Sequence, residues 1–396
     1  MPETSTIREN LKRLRVERGL SQEGLAEKSG LSKATIAKLE QGRRQGERTT
    51  TLMRLANALD VELGELVGKR ERLGEDRDGA SVLAVRDAIL SPSLLPGLPG
   101  LDAEDHGDPT PLPDLTAAVT TAWEAYWAGE FGKVAAAVPG LITEARLTHR
   151  SLGPAAAAPL AQAYQLGACL MVHFGRDDLA AIGAERGIVA AAEGDDEWQW
   201  ATVQGTYAWV LHHQARLAEA EDLAMRVAEQ IEPSFSAPDE HLAAWGNLLM
   251  TALAPACAAG KDPKDYVSKA AAAAERIGHR VDVYQTGFGP ATVAMQAVHA
   301  YAVLKKPGQA LKAAKNVRVG NLRGISRARH LLDVARAHVD AGQPRAAETT
   351  LAEARAMSRV WFRHQGLART LAAEVREIQT RPSPVIRAMC RDLGIE

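Results

Sequence analysis

Residues 21–42 read SQEGLAEKSGLSKATIAKLEQG. Two short helical patterns stand here, separated by Gly30. Ser21 opens the first, QEGLAEKS, because a serine hydroxyl accepts a bond from an orphan N–H of the first turn. Gly24 inside that helix is a mild defect, about 1 kcal/mol against alanine. Gly30 permits the positive φ of a tight turn between helices. Ser32 opens the second, KATIAKLEQ, and Gly42 closes it. Ile36 and Leu39 then face inward with Leu25 and Ala26.

The unit extends both ways. IRENLKRLRVERGL (7–20) sets Ile7, Leu11 and Leu14 at helical spacing, which gives one apolar face. After the basic loop RRQGERTT (43–50), TLMRLANALDV presents a second stripe of Leu52, Leu55, Ala56 and Leu59. ELGELVG closes the set with Leu63 and Leu66. The pattern predicts five short helices.

Gln22, Ala26, Gly30, Ser32, Ile36, Glu40 and Gly42, followed by Leu55, Ala56 and Leu59, resemble the Cro/lambda-repressor-type helix-turn-helix of the xenobiotic-response-element family over roughly residues 7–67. One departure is a longer loop before the fourth helix, carrying Thr49 to Thr51. The resemblance implies a DNA reader whose second helix enters the major groove and meets base edges with its N-terminal residues. Lys33, Ala34, Thr35 and Lys38 take the outward positions. Lysine donates to guanine, threonine serves several bases, and an alanine methyl meets the thymine methyl. Gln22, Ser32, Arg43, Arg44 and Arg48 are the expected phosphate contacts. Glu40 is expected to be structural, since phosphate repels a carboxylate.

The chain is 396 residues long, which suggests two or three domains. Apolar residues make up 46% and aromatics only 5%, with alanine filling much of the apolar share. Alanine has the best helix propensity, so an all-α protein is expected. Residues 1–73 hold 15 Lys and Arg against 11 Asp and Glu, a net of +4 in a chain of net −2, so the remainder is acidic. A weakly basic head on an acidic body fits a nucleic-acid-binding module joined to a domain that phosphate repels. No apolar run nears the roughly 18 to 20 residues of a membrane span, and MPETSTIREN is no signal peptide. Cys169, Cys257 and Cys390 lie far apart without zinc or redox spacing, which predicts buried thiols and a cytoplasmic protein.

Residues 74–113 are rich in glycine, proline and acid and read as a linker, in which SVLAVRDAIL forms one short helix. From residue 114 to 396 one theme recurs: a long apolar helix, a short polar break, a second helix. The breaks are AGEFGKVA (128–135), FGRDDLAA (174–181), HQARLAEA (213–220), AGKDPKDY (259–266), KKPGQALK (305–312) and AGQPRAAE (341–348). This looks like a divergent tetratricopeptide-repeat solenoid. The whole chain resembles bacterial regulators that join a Cro-type head to a tetratricopeptide-like body. GFGPATVA (287–294), RARHLLDVARAH (327–338) and WFRHQGLARTL (361–371) are similar to segments of that group.

Such an array presents a concave surface from the first helices of its hairpins. Tyr207, Trp209, His212, Trp245, Asn247, Gln296, His299, Arg327, His330 and Asp333 are the expected groove residues. Asn247 is the sharpest of them, an amide inside the apolar run AAWGNLLM that needs a partner. Metal binding and cofactors are not expected, because the histidines lack i, i+4 partners on one helix face. Catalysis is not expected either: GxSxG, HExxH and GxxxxGK[ST] are absent, and GFGPA reads as a glycine turn with no preceding strand. Asp177-Asp178 and Asp195-Asp196 read as helix N-caps. The leading expectation is a homodimeric DNA-binding regulator whose body senses a small molecule or peptide, with operator DNA as partner and no membrane. The alternative is a repeat adaptor or antitoxin-like protein that its head tethers to DNA.

Overall fold

The structure is a computed structural model that describes residues 7–41, 49–61, 66, 82–91 and 108–395. The head packs α1 (Ile7–Glu17), α2 (Gln22–Ser29), α3 (Lys33–Glu40) and α4 (Thr49–Leu59) around Leu11, Leu25, Ile36, Leu55 and Leu59. Ser21 accepts from the Gly24 N–H at 3.0 Å and Ser32 from the Thr35 N–H at 3.1 Å, so both serine caps form. Gly30 sits at φ 62° between the two helices. Gly42 and most of the basic loop lie outside the described residues. So does the expected fifth helix apart from Leu66, which is buried in the head core.

Among the described residues the body is helical, apart from one small hairpin. It begins with α5 (Val82–Ile89), α6 (Leu112–Trp127), α7 (Phe131–Leu152), α8 (Ala157–His173), α9 (Asp177–Glu193), α10 (Glu197–His213), α11 (Leu217–Gln230), α12 (Asp239–Ala258) and α13 (Lys264–Ile277). Strands β1 (Val281–Val283) and β2 (Thr286–Phe288) follow. After them come α14 (Pro290–Val303), α15 (Pro307–Ala314), α16 (Gly324–Asp340), α17 (Pro344–Met357), α18 (Arg359–Arg363), α19 (Gly366–Ile378) and α20 (Pro384–Asp392).

All six polar breaks are helix ends, and each closes in one geometry. Gly129, Gly175, Ala215, Gly260, Lys305 and Gly342 hold left-handed φ between 59° and 88°. At each corner that residue's N–H reaches back three residues, and the next N–H reaches back five, as in Gly129 to Tyr126 and Glu130 to Ala125. This double bond satisfies the last carbonyls of the helix, and glycine suits it because a Cβ is strained there. Two corners lack glycine. Left-handed backbone costs a side-chain-bearing residue about 1–2 kcal/mol. Lys305 is exposed, so Lys305→Gly is expected to stabilise the body by about 1 kcal/mol. A urea midpoint that rises with an unchanged slope is the expected reading; a fall would show that the lysine side chain contributes at that corner.

Three expectations are corrected. GFGPA does follow a strand. The hairpin pairs Val281 with Phe288 and Val283 with Thr286, and its two-residue turn places Tyr284 and Gln285 at φ 42° and 69°. Neither is glycine or asparagine, so the usual hairpin sequence signal is missing. The strands are antiparallel and adjacent, so no phosphate-binding strand–loop–helix unit arises. Secondly, Asp196 does cap α10, accepting from the Trp198 and Gln199 N–H groups, whereas Asp177 and Asp178 lie inside the first turn of α9 after Arg176. There they favour the helix dipole instead of capping. Thirdly, Phe131–His173 is apolar enough by composition to cross a membrane, yet 89% of its most apolar window is buried in the protein. It is core.

Helix α5, inside the expected linker, is docked on the body. Val85, Ala88 and Ile89 join its main core, and the Arg146 guanidinium donates to the Ala88 carbonyl at 3.3 Å. A Cβ on Gly167 or Gly183 would touch Ile89 Cδ1 at 3.6 and 3.4 Å, so two missing side chains make its notch.

The solenoid also returns on itself. Residues of α6–α10 and of α16–α20 share one apolar core. Ser358 donates to the Gly129 carbonyl at 3.2 Å, and the His364 ring lies 4.9 Å edge-on from Phe174. A Cβ on Gly324 would run into the Trp127 carbonyl oxygen, so the start of α16 abuts the end of α6. Cys169, Cys257 and Cys390 are buried free thiols.

Candidate nucleic-acid interface and ligand groove

The N-terminal half of α3 faces outward. Lys33, Ala34 and Lys38 are exposed, and Thr35 is half-buried with its hydroxyl 2.9 Å from that of Ser32. Lys33 pairs with Glu23 on the surface, an attachment weak enough to exchange for a base or phosphate. The Ser32 hydroxyl is occupied as a cap. The Gln22 amide donates to Glu40 Oε2 at 2.8 Å, so one of its hydrogens is already engaged. Glu40 is 7% exposed and accepts from Arg15 Nε at 2.5 Å and Nη2 at 3.0 Å. Burial pushes its carboxyl upward, but the bonds from Arg15 and Gln22 outweigh this and hold it below the usual range. Arg54 clamps the α2–α3 turn, donating to the Ser29 and Gly30 carbonyls. Arg43, Arg44 and Arg48 lie outside the described residues.

The second candidate site is a partly open cavity of about 1110 Å³ within the returning body. Of the ten groove residues expected from sequence, Trp209, His212, Asn247, Gln296, His299 and Asp333 line it. Tyr207, Trp245, Arg327 and His330 do not. Tyr207 donates to Glu185, Trp245 packs on the core around α12, Arg327 is exposed and His330 is buried. One helix turn carries 3.6 residues, so Tyr207 and Trp209, two apart, cannot share a face. Among the described residues the Asn247 and Gln296 carboxamides have no protein partner.

Asp333 anchors the floor. It is 4% exposed, accepts from His299 Nδ1 at 3.2 Å and lies 3.6 Å from Arg329 Nε. Burial raises its carboxyl, yet His299 and Arg329 together hold it below its ordinary value. His212 is pushed down to about 3, chiefly by burial and then by His299 and Arg329. Its imidazole is therefore neutral in the folded protein at neutral pH.

Above pH 6.5 the His212 ring is neutral folded or unfolded. Below it the unfolded chain takes a proton that the folded chain refuses, and stability falls by about 1.4 kcal/mol per pH unit toward pH 3. Between pH 7 and 5.5 the wild type is expected to lose about 1 kcal/mol more than His212→Gln. Parallel losses in urea titrations would place the ring in water.

Sequence reasoning missed several lining residues. Trp127 and Arg323 stack, with the guanidinium 5.1 Å from the ring centroid, and Gln165 donates to Thr206 at 2.7 Å. Arg280, Gln285 and Thr286 come from the unexpected hairpin and its flank. Head residues line the same cavity: Ile7, Leu52 and Met53 face it, and Asn57 donates to the Ala215 carbonyl at 3.0 Å. Met53 is 2% exposed yet stands outside the head's own apolar core. Among the described residues no three His, Cys, Asp or Glu side chains converge as metal ligands.

The profile of the Helix-turn-helix family matches residues 11–66, which takes in most of α1, all of α2 through α4 and Leu66. The head is thus a helix-turn-helix DNA-binding domain of the Cro type. No curated protein matches the chain. Among solved structures, BtubC (BKLC) from P. vanneervenii is similar at 13% identity and TM-score 0.37, over 63% of this chain and 92% of that one. Bacillus thuringiensis PlcR, solved with the peptide PapR7 and DNA, is similar at 14% identity and TM-score 0.30, over 69% of this chain and 95% of that one. Both scores are below 0.5, so the body is read from its own geometry.

Proposed function

We propose that the chain is a cytoplasmic, homodimeric transcription regulator, without catalytic activity, whose DNA affinity depends on an effector held in the body cavity. Residues 1–73 read DNA, with Lys33, Ala34, Thr35 and Lys38 on base edges and Gln22, Ser32, Arg43, Arg44 and Arg48 at phosphates. The body from residue 114, with α5 docked on it, holds the effector, a small molecule or peptide, and pairs two copies. The observation that carries this reading is the shared cavity. Leu52 and Met53 of the DNA-binding head and Trp127, Trp209 and Asn247 of the body line one cavity. An occupant there touches both parts, and a ligand shifts an equilibrium only by its difference in affinity between the two arrangements.

The test begins with duplexes selected from a random pool by the full chain. Lys33→Ala and Lys38→Ala are each expected to lower the preference for selected over random duplex by about 1–3 kcal/mol. Equal losses on both would remove those lysines from base reading. Small-molecule and peptide fractions of a cell extract are then titrated against the selected duplex, on wild type and Asn247→Ala. A response that the variant lacks supports the sensor. A duplex affinity indifferent to every fraction, with a stoichiometric protein retained instead, returns the adaptor reading.

A further inference from the structure

The walls of the cavity are unevenly charged and unevenly satisfied. Five arginines line it against three carboxylates, although the chain as a whole carries −2. Two of these arginines share one acid outside the lining: Arg280 meets Asp282 at 2.8 Å and Arg323 meets the same carboxylate at 3.2 Å. Arg329 and His299 likewise share Asp333. With Asp282 counted, five arginines meet four carboxylates, and the surplus cation falls where Arg280 and Arg323 share one acid.

Two carboxamides on the wall, Asn247 and Gln296, have no protein partner among the described residues, and each can donate to an oxygen of an occupant. Flat and apolar surface lies beside them: the indoles of Trp127 and Trp209, the side chains of Met250 and Met295, and Met53 from the head.

We infer that the cavity takes an organic carboxylate with a flat apolar body, its acid group at Arg280 and Arg323, which meet at Asp282, and its body between the indoles and the head. This rests on the sensor reading and names the chemistry of its effector. Guanidinium binds carboxylate in a planar fork and stacks on aromatic faces, which lysine does not do. Arg323 lies over Trp127 with Nη1 on Gln285 and Nη2 on Asp282, so its plane is fixed before the ligand arrives and each nitrogen keeps a second hydrogen for it. A free carboxylate occurs on aromatic acids and at peptide C-termini; both present the same group to the arginines.

The experiment uses the full chain and isothermal titration with four probes: naphthalene-2-carboxylate, naphthalene-2-carboxamide, and the tripeptide Leu-Leu-Phe with a free or an amidated C-terminus. The carboxylate is expected to bind at least tenfold tighter than the amide of equal size. Arg280→Gln and Arg323→Gln should each remove most of that preference, and an unchanged circular dichroism spectrum and urea midpoint show that the variants fold. Preference for the free tripeptide over the amidated one, alongside the naphthalene pair, marks a peptide C-terminus as the source; preference in the naphthalene pair alone marks an aromatic acid. Equal binding of acid and amide in both pairs, no binding of any probe, or a preference that survives both arginine variants overturns the inference. Duplex affinity is measured separately with the same probes. An arginine-dependent carboxylate preference without any change in duplex affinity counts against the sensor reading while the carboxylate site stands. Regulation by an extract fraction, with acid and amide bound equally, does the reverse.

Discussion

Gly246→Ala is expected to destabilise the body by about 3 kcal/mol or more, the upper end of overpacking effects. A Cβ at position 246 would stand 2.6 Å from both Cε atoms of the Phe288 ring and nearer still to Cζ. Phe288 is fully buried, and it belongs to β2, which packs on α12. The ring cannot move outward without lifting the hairpin, and the hairpin carries Gln285 and Thr286 into the cavity wall. Loss of stability should therefore come with weaker ligand binding. Urea unfolding followed by tryptophan fluorescence gives the first quantity and probe titration the second. The double variant Gly246→Ala, Phe288→Leu should recover about half of the loss, because leucine vacates the contested volume. A single-variant effect under about 1 kcal/mol would mean that α12 and the hairpin separate freely.

Arg15→Ala is expected to cost the head about 3 kcal/mol and to abolish duplex binding while the body stays folded. The side chains of Arg15 and Glu40 are 12% and 5% exposed, so removal of the cation strands a carboxylate inside the head. The Gln22 amide and the more distant charge of Lys12 then act on it. The pH dependence identifies the cause. In the wild type Glu40 sits below its ordinary value, so its stabilisation is full above the unfolded pKa and fades as pH falls through the folded one. In the variant, burial acts with little opposition and favours the neutral acid. The gap between variant and wild type should then narrow on going from pH 7 to pH 4. A gap of constant size would trace the loss to packing of the arginine stem instead.

The head was legible because its signals are local. Ser21, Ser32 and Gly30 act on their own backbone within a few residues, and their caps need no knowledge of the rest of the chain. The six hairpin corners were legible for the same reason, even at Ala215 and Lys305, where polar flanks stood in for glycine. The cavity was only half legible. Asn247 betrays itself as an amide in an apolar run, and Gln165 in AQAYQLGACL carries the same signal and could have been found by it. Arg323 and Trp127 carry no such mark. They meet only because α16 returns to α6, a contact between residues far apart in sequence that no periodicity announces. The hairpin escaped because Tyr284 and Gln285 take a turn usually reserved for glycine and asparagine, held there by Tyr284 donating to Asp196 and by Arg323 on Gln285.

The seam between the first and last hairpins has an evolutionary consequence. Open solenoids drift in length, since a duplicated hairpin adds one more interface of the same kind and disturbs nothing beyond its neighbours. Here a duplication anywhere between Gly129 and Gly324 would carry the start of α16 past the end of α6 and pull Ser358 from the Gly129 carbonyl. The number of hairpins in this body is therefore fixed by closure, as the number of strands is in a barrel. Length variation among descendants of this chain should collect outside the loop, before α5 or after α20, and not between its repeats.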